Sequence, residues 1–456
     1  MNGERERLSS RLGFILVAVG CAVGLGNVWR FPYVVGRNGG AIFVLIYLCF
    51  LVTLGLPIVI MEFAVGRSSQ KSVAKSFEVL EAKGSKWHVF GYFAMIANYL
   101  LMMFYTVIAG WVLDYFCLTV AGRFDQKSSV EIEDMFNLVS LNPYQSIFWM
   151  VVVVVIGFAV CWFGVKNGVE KVTKVIMSGL FVIMLILMFN SLTLEGGLKG
   201  IEFYLKPNLS NLKERGIGTV VSEAMGQAFF TLGLGVGSMA IFGSYIGKDR
   251  SLTGEAIYIT ALDTVVALIA GLIIFPACSA FGVDVTSGPN LVFITLPNIF
   301  NKMVAGRFWG SLFFLFMCFA AMSSIIAVFE NIIAFGMELF NWSRKKSVII
   351  NVFLMIILSL PCALGFNVFS FIEPLGQGTT ILDLENFILN NNLLPIGALV
   401  YVTFCTTKYG WGYDNFIEEA NCGEGIKFPK AIRPYVTFVL PILVLAVFIQ
   451  GYISLG

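Results

Sequence analysis

Long runs of apolar residues alternate with short polar segments along nearly the whole chain. A helix needs about 20 mostly apolar residues to cross a bilayer, and runs of that kind occur eleven times. They cover residues 11–36, 41–66, 88–122, 145–164, 169–191, 219–247, 256–282, 307–340, 347–366, 381–407 and 432–455. This pattern predicts an all-α polytopic membrane protein, with a single transmembrane domain over residues 1–456.

The composition excludes most other classes of protein. The 456 residues are 58% hydrophobic and 13% charged, with a mean hydropathy of +0.85, which is too apolar for a soluble domain. The net charge of +2 includes no basic run that would bind nucleic acid. The nine cysteines lack CxxC spacing, and neither a nucleophile–base pair nor a cofactor motif is evident. We therefore expect no enzymatic activity.

The distribution of positive charge predicts how the chain lies in the membrane. Lys and Arg favour cytoplasmic loops. With a cytoplasmic N-terminus, the inner loops collect 20 of the 30 Lys and Arg residues. We therefore expect a multi-pass protein of the cell (inner) membrane whose N-terminus is cytoplasmic. Eleven spans then place the C-terminus outside.

Three glycines interrupt the first apolar run at mid-membrane: Gly20, Gly24 and Gly26. Glycine lowers helix propensity, and backbone freed from a helix must face protein, water or a ligand inside a bilayer. Asn27 and Arg30 follow in the same run, where polar side chains are costly and usually functional. The run thus predicts a broken helix at a binding site. The alternative from the glycines alone is a close helix–helix contact.

A second interrupted run begins at Gly226 and ends at Gly237, in the sixth span. Two such segments at corresponding positions in two halves indicate an inverted repeat with the site at its interface. We expect five plus five helices, with repeats over about 11–191 and 219–407. The helix at about 432–455 lies outside the repeat.

Six carboxylates fall within the apolar runs and are candidates for function or for structural pairing. They are Glu62, Asp114, Glu223, Asp263, Glu330 and Glu338. Asp263 stands out because it lies well inside the seventh span. In the eighth span, Ser323 and Ser324 either bond back to the preceding turn or complete an oxygen-only shell for a hard cation such as Na⁺.

Together these motifs resemble one family, the neurotransmitter:sodium symporters, which share the LeuT fold. The matches are GLGNVWRFPY (24–33), AFFTLGLG (228–235), MEFAVGR (61–67), Tyr105 and the serine pair. The chain is similar to the bacterial, eleven-span members that transport hydrophobic or aromatic amino acids. The resemblance implies a LeuT fold with broken first and sixth helices, a 5+5 inverted repeat and an eleventh helix.

The family's roles transfer to matching positions, and the resemblance implies four groups of residues. The first sodium site (Na1) comprises Ala22, Asn27, Thr231 and Asp263, and the second (Na2) comprises Gly20, Val23, Ala320, Ser323 and Ser324. The substrate site comprises Ala22, Gly24, Leu25, Gly26, Leu101, Tyr105, Phe230, Thr231, Gly233, Val236, Ser324 and Val328. The gates comprise Arg30, Glu385 and Asn386 on the outer side and Arg5, Tyr245 and Glu338 on the inner side.

Departures from the family pattern refine these expectations. Asp263 stands where the family usually has Asn, and Ala267 stands where chloride-dependent members have Ser, although Tyr47 and Gln227 of that site are present. We therefore expect two Na⁺ ions and no chloride. Gly24 replaces the aspartate of monoamine carriers, which implies a substrate with its own carboxylate.

The expected function is Na⁺-coupled import of hydrophobic, chiefly aromatic, L-amino acids by alternating access. The expected partners are therefore an L-amino acid, Na⁺ and the lipid bilayer, and no nucleic acid. A proton-coupled transporter is the main alternative, because Asp263 is a candidate for titration. A channel or sensor built on a transporter scaffold is a further alternative, since its site residues would look alike. The family's outer-gate acid in the tenth span aligns best with Asn386, next to Glu385, so the partner of Arg30 stays open.

Overall fold

The computed structural model describes residues 8–283 and 290–453, and the regular elements in these ranges are helices. Within them, the only β-type pairing is an isolated bridge between Arg250 and Glu424. The first span consists of two half-helices, Arg11–Ala22 and Gly26–Arg37, which meet at an angle of 58°. The sixth span likewise consists of Ile217–Thr231 and Ser238–Gly243, with residues 232–237 between them. Both predicted breaks are present.

The remaining spans are continuous. They are Ala41–Ser69, Val89–Val120, Pro143–Trp162, Val165–Leu192, Leu252–Ala280, Gly306–Leu339, Arg344–Leu364, Ile381–Thr406 and Lys430–Ile453. Together with the two broken helices they correspond to the eleven predicted runs. We number them the first to the eleventh span in chain order.

Shorter helices join the spans. They are Val73–Leu80, Ser129–Leu141, Leu198–Leu205, Leu209–Arg215, Leu291–Thr295 continued by Leu296–Lys302, and Tyr413–Ala420. Three of these segments fall in the long connections after the fifth and seventh spans.

Several spans begin at a polar side chain that accepts hydrogen bonds from the first helical turn. Ser10 accepts one from Gly13 N at 3.1 Å, and Asn142 accepts one from Tyr144 N at 3.0 Å. These caps satisfy N–H groups that have no partner inside the helix. Local sequence therefore determines where these helices begin.

The eighth span forms the centre of the molecule. Over its most apolar 18 residues, 78% of the residues are buried. The span packs against the first, third, fourth and fifth spans. In the eleventh span the buried share is only 22%, and this span packs mainly against the tenth. A peripheral eleventh helix agrees with its expected place outside the repeat. The proposed repeat limits at 191, 219 and 407 stay predictions.

Candidate functional site

The break in the first span lies against the third and eighth spans. The side-chain oxygen of Tyr105 accepts a hydrogen bond from the Leu25 amide at 3.0 Å. A Cβ atom at Gly24 would lie 2.6 Å from the Tyr105 hydroxyl and 2.9 Å from the Ser324 hydroxyl. Because real Cβ contacts are not that short, only glycine fits here without displacement. The glycine thus allows two polar side chains to approach the unwound backbone.

A cavity of about 70 Å³ lies between the two broken segments. Eleven of the twelve expected substrate residues line it, and the twelfth, Leu25, reaches it through the hydrogen bond to Tyr105. Eight residues outside the expected substrate set also contribute: Cys21, Asn27, Met102, Leu232, Ser238, Leu389, Asn390 and Leu394. The tenth-span members Leu389, Asn390 and Leu394 carry no sequence motif that would have identified them.

Asp263 lies at the centre of a buried polar cluster that joins the first, sixth and seventh spans. Asn27 Nδ2 donates to Asp263 Oδ1 at 2.8 Å, and the Thr231 hydroxyl donates to Asp263 Oδ2 at 3.0 Å. Asn27 Nδ2 also lies 3.2 Å from Thr231 Oγ1. Three of the four residues expected at Na1 are thus in mutual contact, and Ala22 lines the adjoining cavity.

The residues expected at Na2 also come together, although 300 or more positions separate the two segments in sequence. The Ser324 hydroxyl lies 3.3 Å from the Gly20 carbonyl and 3.0 Å from the Val23 carbonyl. The Ser323 hydroxyl lies 3.0 Å from the Ala320 carbonyl. Three carbonyls and two hydroxyls therefore converge, and this is the all-oxygen donor set that a hard cation prefers.

Buried side chains hold the unwound part of the sixth span, and sequence reasoning assigned them no role. Glu62 Oε1 of the second span accepts a hydrogen bond from Gly235 N at 2.6 Å. Asn98 Nδ2 donates to the Val236 carbonyl at 2.8 Å, and Asn331 Nδ2 donates to Asn98 Oδ1 at 3.0 Å. Backbone groups freed by the break thus find side-chain partners, as they must inside a bilayer.

Tyr47 and Gln227, which belong to the chloride site in other members, are fully buried. Both polar side-chain atoms of Gln227 are buried without a hydrogen-bond partner among the described residues. Ala267 is fully buried and contributes only a methyl group. These donors are present, but the serine hydroxyl that chloride-dependent relatives place at this position is absent.

Arg30 and Phe230 form the roof of the cavity. The Arg30 Cζ atom lies 4.1 Å from the centre of the Phe230 ring. Phe230 also lines a second cavity of about 250 Å³ above it, which includes Arg30 and Glu223. Neither Glu385 nor Asn386 lines that cavity. Asn386 Oδ1 instead accepts a hydrogen bond from Asn390 Nδ2 at 2.5 Å, and Glu385 is 4% exposed.

Two carboxylates, Glu330 and Glu338, lie in the part of the eighth span that follows Ser323 and Ser324. Glu338 accepts hydrogen bonds from the Ser72 amide and hydroxyl at 3.0 and 2.7 Å. Glu330 pairs with both terminal nitrogens of Arg344, at 2.8 and 2.5 Å, and lies 3.4 Å from the Tyr245 hydroxyl. Arg5 lies outside the described residues. The expected inner gate thus has Tyr245 beside an ion pair that sequence reasoning did not identify.

Comparison with known proteins decides the family. Residues 5–137 and 139–455 match the family described as "Sodium:neurotransmitter symporter family". The chain belongs to this family. Two similar members are described as uncharacterized sodium-dependent transporters, YhdH of Bacillus subtilis (strain 168) and a Haemophilus influenzae (strain ATCC 51907 / DSM 11121 / KW20 / Rd) protein. The first is 33% identical over 97% of this chain and 96% of its own, and the second is 30% identical over 99% of both.

A solved structure confirms the fold. The crystal structure of MhsT in complex with L-phenylalanine is 38% identical and matches with a TM-score of 0.87, covering 98% of this chain and 100% of that one. This protein therefore has the LeuT fold, as its resemblance to the family implies. It is a sodium-dependent secondary transporter of a membrane and not an enzyme.

Proposed function

We propose that this symporter imports hydrophobic, chiefly aromatic, L-amino acids together with Na⁺ and without chloride. The observation that carries the proposal is the cavity between the two breaks, which is bordered by both oxygen clusters and lined by apolar side chains. The complex of the 38% identical MhsT with L-phenylalanine supports the same substrate class.

The cavity offers different chemistry to each part of an amino acid. The Tyr105 hydroxyl and the amides of Leu25 and Gly26 are donors for the substrate carboxylate. The carbonyls of Ala22, Phe230 and Thr231 would accept from its ammonium group. The side chain would lie among apolar residues of the third, sixth and eighth spans, which are Leu101, Gly233, Val236 and Val328. The Ser324 hydroxyl would lie beside it.

The aromatic preference rests on space beside the sixth-span break. Gly233 has φ +56°, and a Cβ atom built there would meet nothing within 4 Å. Leucine-preferring bacterial relatives are expected to have Ser and Phe where this chain has Gly233 and Val236. Filling apolar volume stabilises a ligand by about 0.8 kcal/mol per methylene. A phenyl or indole ring would gain most from this opening.

Coupling follows from ligands that ion and substrate share. At Na1, the sodium ion would lie among Ala22, Asn27, Thr231, Asp263 and the substrate carboxylate, so each stabilises the other's bound state. At Na2, the second ion would hold the first span against the eighth through the Ser323 and Ser324 cluster. An inward Na⁺ gradient would then drive uptake by alternating access.

Asp263 supplies the reason to expect chloride independence. Two Na⁺ ions and a zwitterion leave excess positive charge in a low-dielectric site, where uncompensated charge is heavily penalised. The Asp263 carboxylate lies in the Na1 cluster itself, hydrogen-bonded to Asn27 and Thr231. It would provide the negative charge that chloride provides in relatives.

The direction of transport depends on the orientation in the membrane. The Lys and Arg distribution supports a cytoplasmic N-terminus and an outer C-terminus in the cell (inner) membrane. The cavity roofed by Arg30 and Phe230 would then open outward, and the ends near Tyr245 and Glu338 would open inward.

Competition in proteoliposomes tests the substrate and the coupling ion together. Uptake of labelled L-phenylalanine under an inward Na⁺ gradient should be inhibited most by tyrosine, phenylalanine and tryptophan among the twenty amino acids. Replacing Na⁺ with K⁺ under a retained proton gradient should abolish uptake. A preference for glycine would overturn the aromatic substrate class. Full uptake in K⁺ would instead favour the proton-coupled alternative, in which Asp263 titrates.

A further inference from the structure

Arg30 is a partly buried cation without an acid from the tenth span beside it. Its Nη1 atom is buried and has no hydrogen-bond partner among the described residues. In the tenth span, Asn386 bonds to Asn390, and Glu385 is buried outside the cavity that Arg30 lines. A guanidinium at this depth is strongly stabilised by a compensating charge, and the nearest candidate acid lies on another span.

Glu223 of the sixth span is placed to do so. It lines the same cavity of about 250 Å³ as Arg30. Its Oε2 atom accepts a hydrogen bond from Asn38 Nδ2 at 2.7 Å, and the same Asn38 nitrogen lies 2.8 Å from the Val34 carbonyl. Asn38 therefore links Glu223 to the outer half of the first span, the half-helix that carries Arg30.

We propose that Glu223 is the counter-ion of Arg30 and positions its guanidinium over the Phe230 ring. The acid of the outer gate is thus supplied by the sixth span in this chain instead of the tenth. The inference rests on the proposed function in one respect, namely that Phe230 closes the substrate cavity.

The arrangement has a direct physical consequence. A guanidinium over an aromatic face is attracted by the ring, and the attraction grows as water is excluded. Glu223 and Asn38 hold Arg30 on the outer side of Phe230, while the inner side of the ring faces the substrate cavity. Without the carboxylate, Arg30 would turn toward water in the outer cavity, and the roof would open more often.

The rate at which bound substrate escapes tests this role. The probe is labelled L-phenylalanine bound in saturating Na⁺. If another amino acid competes better, that amino acid is labelled instead. Glu223→Gln should accelerate its dissociation by about tenfold, the scale of one desolvated cation–π contact, and Glu223→Asp should stay close to the wild type. Ser222→Ala is the matched control, because Ser222 lines the same cavity on the same helix without charge; its dissociation rate should not change.

A second variant separates a positioning role from a structural one. Adding Asn391→Asp to Glu223→Gln returns an acid to the cavity that Arg30 lines, because Asn391 of the tenth span borders that cavity, and it should restore slow dissociation. If Glu223→Gln does not fold, Asn38→Ala is measured instead, and it should accelerate dissociation in the same direction. Dissociation within about twofold of the wild type for the folded variant would overturn the proposal, as would an equal effect of Ser222→Ala. A wild type that binds no aromatic amino acid would overturn only the proposed substrate class.

Discussion

Asn27 Nδ2 lies 2.8 Å from Asp263 Oδ1, although 236 positions separate the two residues along the chain. The contact joins the broken first span to the seventh and places a buried carboxylate beside the unwound backbone. In a low-dielectric interior such a group strongly favours a nearby cation. The first prediction concerns this carboxylate.

Asp263→Asn should remove the negative charge of the cluster that Asp263 forms with Asn27 and Thr231. Uptake measured in the absence of chloride should then fall by about tenfold or more, because an uncompensated buried charge costs several kcal/mol. The combined change Asp263→Asn with Ala267→Ser should make uptake depend on chloride. Initial rates in chloride and in gluconate measure both effects. Ala267→Ser alone is the control and should remain independent of chloride. A large loss of wild-type uptake in gluconate would rule this account out.

Ser323→Ala should weaken sodium dependence severely, because it deletes one oxygen from a shell that joins the first and eighth spans. The apparent Na⁺ affinity should fall by about tenfold or more, as expected when a contact to a charged group is lost. Ser311→Ala is the matched control on the same span, since its hydroxyl donates to the Arg307 carbonyl at 2.7 Å, within its own helix. Na⁺ titrations of uptake compare the two. Full Na⁺-driven uptake by Ser323→Ala would contradict the assignment.

Val236→Phe should shift selectivity from aromatic toward smaller side chains. Val236 lines the substrate cavity and is fully buried, so a phenyl group there would occupy the space proposed for the substrate ring. Competition between phenylalanine and alanine should change in favour of alanine by about tenfold, the value of two methylenes of apolar contact. An unchanged ranking in the mutant would contradict the proposed pocket.

Gly66→Ala should destabilise the fold, because its Cβ atom would lie 1.8 Å from the Ala240 carbonyl oxygen. Forcing an extra methyl into a packed contact costs about 1–3 kcal/mol, occasionally more. Gly218→Ala is the matched control, because a Cβ atom at that helical glycine would meet nothing within 4 Å. Thermal unfolding in detergent, followed by loss of the monodisperse peak, should show a lower midpoint for Gly66→Ala only. Equal unfolding midpoints for the two variants would contradict the close contact between the second and sixth spans at Gly66.

Much of the fold and part of the site could be predicted from the sequence. The spans follow from runs of apolar residues. A helix satisfies its own backbone hydrogen bonds across the bilayer, whatever its neighbours are, so an apolar run of sufficient length is enough to predict a span. The two breaks follow from glycines at Gly24 and in the 226–237 segment, since their conformational freedom is a local property. Ser323, Ser324 and Asp263 could be singled out because polar groups are rare at that depth.

Only the tertiary structure decided which polar groups meet. The sequence identifies Glu62 only as a carboxylate in an apolar run, whereas the structure shows that its Oε1 atom accepts a hydrogen bond from Gly235 N at 2.6 Å. Asn98 and Asn331 carried no recognisable motif, and their contacts with each other and with Val236 depend on how the third, sixth and eighth spans pack. The sequence leaves the partner of Arg30 open, with Glu385 and Asn386 of the tenth span as candidates. The fold instead places Glu223 in the cavity that Arg30 lines. Helix propensity and hydropathy are read within one segment, whereas these contacts join segments distant in sequence, so they depend on packing that no single segment encodes.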